Sequence, residues 1–207
     1  MERGYKRIAN EPEGIYKEKG SKFIGYGFHV RNQDELKAAV EKVKKMHPKS
    51  RHFCYGCVLG DNYETHLVND DGEPSGTAGK PILNQILSVD YSYTAVIVIR
   101  YFGGTKLGTT GLIRSYKTAA EEALKQSTFK EIKILEILVV RFGYEQTANV
   151  NLILQKAGAI STAEQYQERC VLEVAIGAEV LERVKEELKL LSFVELESLG
   201  PRAVGDS

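Results

Sequence analysis

No stretch of the 207 residues approaches the roughly 20 apolar residues of a membrane-spanning helix. The first residues, Met1 to Arg7, lack the apolar core of a secretory signal. Both absences predict a cytoplasmic protein without membrane partners. Cysteine is scarce: the three present cannot all pair, and a chain of this length does not call for a disulfide framework. There are no internal repeats and no low-complexity segments. Acid is missing from two long segments. None lies between Lys42 and Gly60, which holds Lys42, Lys44, Lys45, Lys49 and Arg51. None lies between Tyr91 and Ala120, which holds Arg100, Lys106, Arg114 and Lys117. The whole chain is neutral, with 28 basic and 28 acidic residues. Its halves differ: residues 1–131 carry 20 basic and 16 acidic residues, and residues 132–207 carry 8 and 12. Positive segments inside a neutral protein point to a site for anions. A solvated helix face accounts for Lys42 to Lys45. It accounts less well for Lys106, which sits inside a glycine loop.

The chain is organised around Asp70 to Tyr116. This stretch opens with Asp70-Asp71-Gly72-Glu73-Pro74-Ser75-Gly76-Thr77-Ala78-Gly79-Lys80-Pro81. It continues into the apolar Ala95 to Ile99 and then a second glycine-rich turn, Gly103 to Gly111. Most connections run about 4–6 residues, and longer ordered loops with several glycines commonly serve binding or catalysis.

Periodicity places the surrounding elements. Residues 1–20 read as an arm or edge strand. Lys22 to Val30 alternates as a half-buried strand. Asn32 starts a helix with Glu35 in capping-box position, and Pro48 ends it. Phe53 to Leu59 and Tyr63 to Val68 form a hairpin about Gly60-Asp61-Asn62. A helix runs from Pro81 to Leu87. Ala95 to Ile99 is a strand covered on both faces. A final helix runs from Thr110 to Lys125, capped by Thr109 or Thr110.

After Ser127 the order becomes β-α-β-β-α-β, the ferredoxin-like pattern. It comprises a strand at Ile132–Phe142, a helix at Gln146–Ala157 closed by Gly158, a hairpin of Ile160–Tyr166 with Cys170–Ile176, a helix around Val180 to Leu188, and a last strand at Phe193–Glu197. The class is α+β, with a domain boundary near residue 131. Residues 1–131 form one domain and 132–207 the other, with a tail from Pro201 predicted to be disordered.

Gly103 to Thr110 has the ingredients of a phosphate cradle: glycines, a helix start and a nearby ammonium. It is not a P-loop, because Lys106 precedes Gly108 instead of following it. The alternative is a tight turn whose glycines only satisfy backbone geometry. Asp70, Asp71 and Glu73 are potential oxygen ligands, but their spacing is not that of an EF-hand, and Asp71-Gly72 is explained by a turn. No metal is assigned. Cys54 and Cys57 fall on opposite faces of a strand, which suits buried thiols better than zinc or redox chemistry. Ser75, His66 and Asp70 can be drawn as a triad, yet Ser75 lacks the nucleophile-elbow motif. Ser75 and Thr77 remain members of a loop of potential functional use.

Four blocks carry a resemblance to a known family. They are Ser21-Lys22-Phe23-Ile24; His52-Phe53-Cys54-Tyr55; Asp70 to Gly79; and Arg100-Tyr101-Phe102-Gly103-Gly104-Thr105-Lys106-Leu107-Gly108. Together they resemble the IMPACT/YigZ family, in its bacterial two-domain form, over residues 20–125. The resemblance implies an N-terminal domain similar to domain IV of elongation factor G, a ribosomal-protein-like βαβ fold. It implies a C-terminal domain similar to domain V of the same factor. It also implies a link to translation regulation and binding to RNA or the ribosome, and it supplies no catalytic residues and no cofactor.

On these grounds the chain reads as a non-enzymatic RNA- or ribosome-binding protein. Its anion contacts are Arg51, His52, Lys80, Arg100, Gly103, Gly104, Lys106, Gly108, Arg114 and Lys117, with Tyr101 or Phe102 available to stack a base. Two alternatives stay open. One is an enzyme binding a nucleotide or phosphorylated small molecule at Gly103–Gly111, and the other is a protein-binding module using the acidic second domain.

Overall fold

The computed structural model describes residues 3–166 and 169–205. The chain divides into two compact units, one of Tyr5–Glu131 and one built chiefly of Ile132 onward.

In the N-terminal unit, β1 (Gly4–Ile8), β2 (Glu13–Glu18) and β3 (Ser21–His29) precede helix α1 (Gln33–Met46). Then come β4 (Phe53–Leu59), β5 (Thr65–Asn69), α2 (Gly79–Ser88), β6 (Thr94–Tyr101) and α3 (Gly108–Lys125). Five strands form an antiparallel sheet in the order β2-β3-β6-β4-β5. Alternation decides which side chains go to which face. Ile24, Tyr26, Phe28 and Val30 join Ile97 and Ile99 under α1, which contributes Leu36, Ala39 and Val43. Phe23, Cys54, Val96 and Val98 point the other way, into a core closed by Ile82 and Ile86 of α2 and by Leu112, Tyr116 and Ala120 of α3. Strand β6 feeds both cores, which is why Ala95 to Ile99 is apolar without alternation although its neighbours are antiparallel. Close approach sets α3 against β2: a Cβ added at Gly14 would lie 2.1 Å from the backbone nitrogen of Ala123.

Two helix starts differ from the sequence reading. Asn32 caps α1, accepting from the backbone N–H groups of Asp34 and Glu35. Glu35, however, reaches back to the Arg31 backbone N–H and guanidinium, one residue earlier than a capping box requires. Helix α3 begins at Gly108, and Leu107 occupies the capping position without a side-chain bond. Thr109 and Thr110 therefore lie in its first turn and do not cap it.

The C-terminal unit runs β7 (Phe129–Phe142), a short 3-10 turn, α4 (Thr147–Lys156), β8 (Ile160–Tyr166), β9 (Cys170–Ile176), α5 (Ala178–Lys189) and β10 (Glu195–Val204). Its strands pair antiparallel in the order β10-β7-β9-β8. Val150, Leu154, Val184 and Leu188 of the helices pack on Leu138, Val140, Leu172 and Val174. The tail departs from expectation. Pro201 to Val204 continue β10, with Pro201 opposite Glu136 and Val204 opposite Lys133. These residues are largely exposed, so no apolar pattern announces them. Backbone pairing on an edge strand, where proline is tolerated, holds them in place.

Among the described residues, no helix is long and apolar enough to cross a membrane.

Candidate nucleic-acid interface

The loop from Asp70 to Ala78 turns its charges inward. Asp70 Oδ2 accepts from the Gly76 N–H at 2.8 Å, and Oδ1 accepts from those of Ala78 at 3.0 Å and Gly79 at 2.8 Å. Ala78, in the capping position of α2, has no side chain able to do this, so Asp70 supplies the cap from eight or more residues upstream. Burial opposes the Asp70 charge, but the three backbone donors outweigh it and hold the carboxyl below its ordinary range. Both oxygens are thereby engaged by backbone N–H groups, and among the described residues no hydrogen bond joins Asp70 to His66 or Ser75, so the triad is not assembled.

Asp71 closes the loop onto β4. Its Oδ2 accepts from the Phe53 N–H at 2.6 Å, and its carbonyl accepts from His52 Nδ1 at 2.8 Å. A carbonyl only accepts, so this bond places a proton on Nδ1 and leaves Nε2 to the surroundings. Thr77 is buried and donates to the Pro74 carbonyl, while Ser75 is exposed.

Glu73 goes deepest, with its side chain 5% exposed. It accepts from Arg100 Nη1 at 2.8 Å and from the Tyr116 hydroxyl at 2.9 Å. Arg100 is itself 9% exposed and lies between the rings of Phe23 and Phe102, at 5.5 and 5.4 Å. Burial, together with Cys54 and Glu73, pushes Tyr116 far above the ordinary phenol range, so it remains a donor. Arg100 is thus first a structural cation. Its Nε is buried without a hydrogen-bond partner.

Cys54 donates to the Asp70 carbonyl and Cys57 lies in the opposite core. Burial raises both thiols, that of Cys57 to about 12, so neither is a thiolate at neutral pH. Among the described residues, no group of three or more His, Cys, Asp or Glu is arranged to hold a metal ion.

The β6–α3 loop is built the other way. Gly103 is pressed against the start of β3: its N–H is accepted by Ser21 Oγ, and a Cβ there would meet the Gly20 carbonyl carbon at 1.9 Å. Its N–H is therefore not available to an anion. Gly104 and Gly108 take positive φ values of 86° and 69° in open space. Lys106, Thr109 and Thr110 are exposed. The first turn of the 18-residue α3 has no acidic residue and no side-chain cap, so its positive end faces outward beside Lys106. Arg114 and Lys117 are exposed on the next turns, at spacings that continue the face begun by Thr110. Lys80 is exposed at the start of α2.

Arg51, His52 and Arg100 come together with Lys49, Tyr101 and Phe102 around one cavity of about 470 Å³. Lys80, Lys106, Arg114 and Lys117 are not part of its wall. Tyr101 is fixed from behind by His47, whose Nδ1 lies 3.0 Å from its hydroxyl and whose Nε2 lies 2.7 Å from that of Tyr26. Burial lowers the His47 pKa, which keeps the ring neutral between its two tyrosines. Phe102 is 62% exposed. Lys49 and His47 were not among the sequence-derived contacts. Lys49 was legible in the acid-free segment, whereas nothing in the spacing of His47, Tyr26 and Tyr101 brings them together.

Fold and site define an α+β protein of two units, whose first unit sorts its charge between two glycine loops. Comparison with known proteins gives the family. The profile described as Impact N-terminal domain matches residues 19–124. The IMPACT family member YigZ of Escherichia coli is 35% identical over 162 residues, covering 77% of this chain and 79% of its own. The family member YvyE of Bacillus subtilis is 33% identical over 156 residues, covering 75% and 72%. A crystal structure of a hypothetical protein aligns with a TM-score of 0.66 at 30% identity, over 95% of this chain and 97% of that one. The chain belongs to the IMPACT family.

Proposed function

We propose that the chain is a non-enzymatic RNA- or ribosome-binding protein linked to translation regulation, and that the β6–α3 face of its first unit makes the contact. One observation carries this reading: the uncapped N-terminus of α3 stands beside exposed Lys106, and Arg114 and Lys117 follow on the same helix, with no acid from Tyr91 to Ala120. Exposed cations beside open backbone N–H groups suit phosphates, which position a nucleic acid without reading its sequence. Lys80, Lys106, Arg114 and Lys117 are the phosphate contacts. The link to translation rests on the family resemblance, as does the likeness of the two units to domains IV and V of elongation factor G. The antiparallel β-α-β-β-α-β order of the second unit supports the ferredoxin-like half of that likeness.

Sequencing RNA crosslinked to the protein in cells tests the reading. A defined RNA or ribosomal site, recovered with wild type and depleted in the Lys106→Glu/Arg114→Glu variant, is the expected result. Equal recovery of RNA with both proteins would contradict it.

A further inference from the structure

We propose that the cavity lined by Lys49, Arg51, His52, Arg100, Tyr101 and Phe102 is a subsite for one nucleoside monophosphate unit, with the phosphate against Lys49, Arg51 and His52 and the base stacked on Phe102. The inference rests on the nucleic-acid reading above and names the chemical unit that the protein grips.

Four observations converge. Lys49 and Arg51 make no ion pair among the described residues, whereas Lys37, Lys42 and Lys44 of nearby α1 each hold a carboxylate. Their charge is left for something outside the chain. Phe102 exposes 62% of its surface directly beside them, while Arg100 lies 5.4 Å from its ring. One side of the ring is thus anchored by a cation–π contact, and the rest is open to a base, since every base offers a π-face. Arg100 Nε is an unpartnered donor in a side chain only 9% exposed. Native proteins rarely leave such a donor unmet, and Arg100 belongs to the cavity lining. The wall is also preset. His52 is oriented by Asp71, Tyr101 by His47 and Arg100 by Glu73. A volume of about 470 Å³ admits a mononucleotide.

The acids nearby do not oppose the anion. Glu73 is neutralised by Arg100 and bonded by Tyr116, and the Asp71 carboxylate is held by the Phe53 N–H. Net positive charge at the cavity therefore comes from Lys49 and Arg51, which line it.

Titration of AMP and of adenosine into the full chain at low salt tests the subsite. AMP should bind with adenosine at least tenfold weaker. Phe102→Leu should weaken AMP about tenfold, the scale of one base–aromatic stack. Arg51→Ala should weaken AMP and leave adenosine unchanged. Both side chains are exposed, so melting temperatures should stay near wild type. The pentanucleotide rA5 identifies the source of the unit. Tighter binding than AMP assigns the subsite to an RNA strand, equal binding assigns it to a free nucleotide, and either result supports it. Equal affinity for AMP and adenosine, AMP binding untouched by both variants, or no AMP binding at millimolar concentration would overturn the subsite. RNA binding lost in Lys106→Glu but kept in both cavity variants, with AMP binding weakened, would assign the subsite to a free nucleotide and leave the broader reading intact. AMP binding without any RNA binding would support the subsite and sink the broader reading.

Discussion

The Asp70–Ala78 loop and the Gly103–Leu107 loop use similar residues and end alike, each delivering the chain into a helix. They differ in where the charge goes. In the first, Asp70 satisfies the start of α2, Asp71 ties to β4, and Glu73 meets Arg100 and Tyr116 in the interior. In the second, the helix start is left uncapped and Lys106 points into solvent. Glycine content alone therefore says little about function. A loop that saturates its own donors and acceptors is scaffold, and one that leaves a helix terminus and a cation open has something left for a ligand.

The largest effect should come from the interior pair. Arg100→Met leaves Glu73 buried without its cation, which should cost about 3–5 kcal/mol in a urea unfolding experiment. Replacing both, as Glu73→Gln/Arg100→Met, should recover much of that loss. A cost below about 1 kcal/mol for the single variant would mean that the inward loop is not held by this pair.

Asp70 comes next. Asp70→Asn keeps an acceptor but replaces the other oxygen with a donor facing N–H groups, for an expected loss of about 1–3 kcal/mol. The folded carboxyl titrates below its unfolded value, so its stabilisation is full above the unfolded pKa and fades as pH falls through the folded one. Wild type should lose stability on acidification below about pH 4, and Asp70→Asn should show a shallower decline there. Parallel pH profiles would contradict the three-donor account.

The outward loop should matter least to stability. Lys106→Ala should stay within about 0.5 kcal/mol of wild type by the same unfolding measurement. A larger loss would make Lys106 part of the scaffold and erase the contrast between the loops.

Sequence made one side of this contrast easier to read than the other. Strand periodicity placed Ile24, Tyr26, Phe28 and Val30 on one face, and the spacing of Cys54 and Cys57 on opposite faces, because alternation is a local property of the backbone. The acid-free segments exposed Arg51, Lys106, Arg114 and Lys117 for the same reason: composition is local. The partners of the acidic loop were not legible. Glu73 and Arg100 are 27 residues apart, and Glu73 and Tyr116 are 43 apart, so only the packed sheet reveals that these motif residues satisfy one another. The missing cap of α3 was hidden because two threonines offer themselves where the helix has already begun. The strand at Pro201–Val204 was hidden because it is held by pairing with β7, without an apolar face to signal it.

The salt dependence of RNA affinity in wild type and Lys106→Ala tests the contrast most directly. An unstructured RNA should bind wild type with log affinity falling linearly in log salt. If the open loop holds one phosphate, the slope should drop by about 0.7 in the variant, with affinity reduced for all sequences alike. Lys106→Glu should reduce affinity further. An unchanged slope and affinity in both variants, with the fold intact, would contradict the assignment of this loop to the binding face.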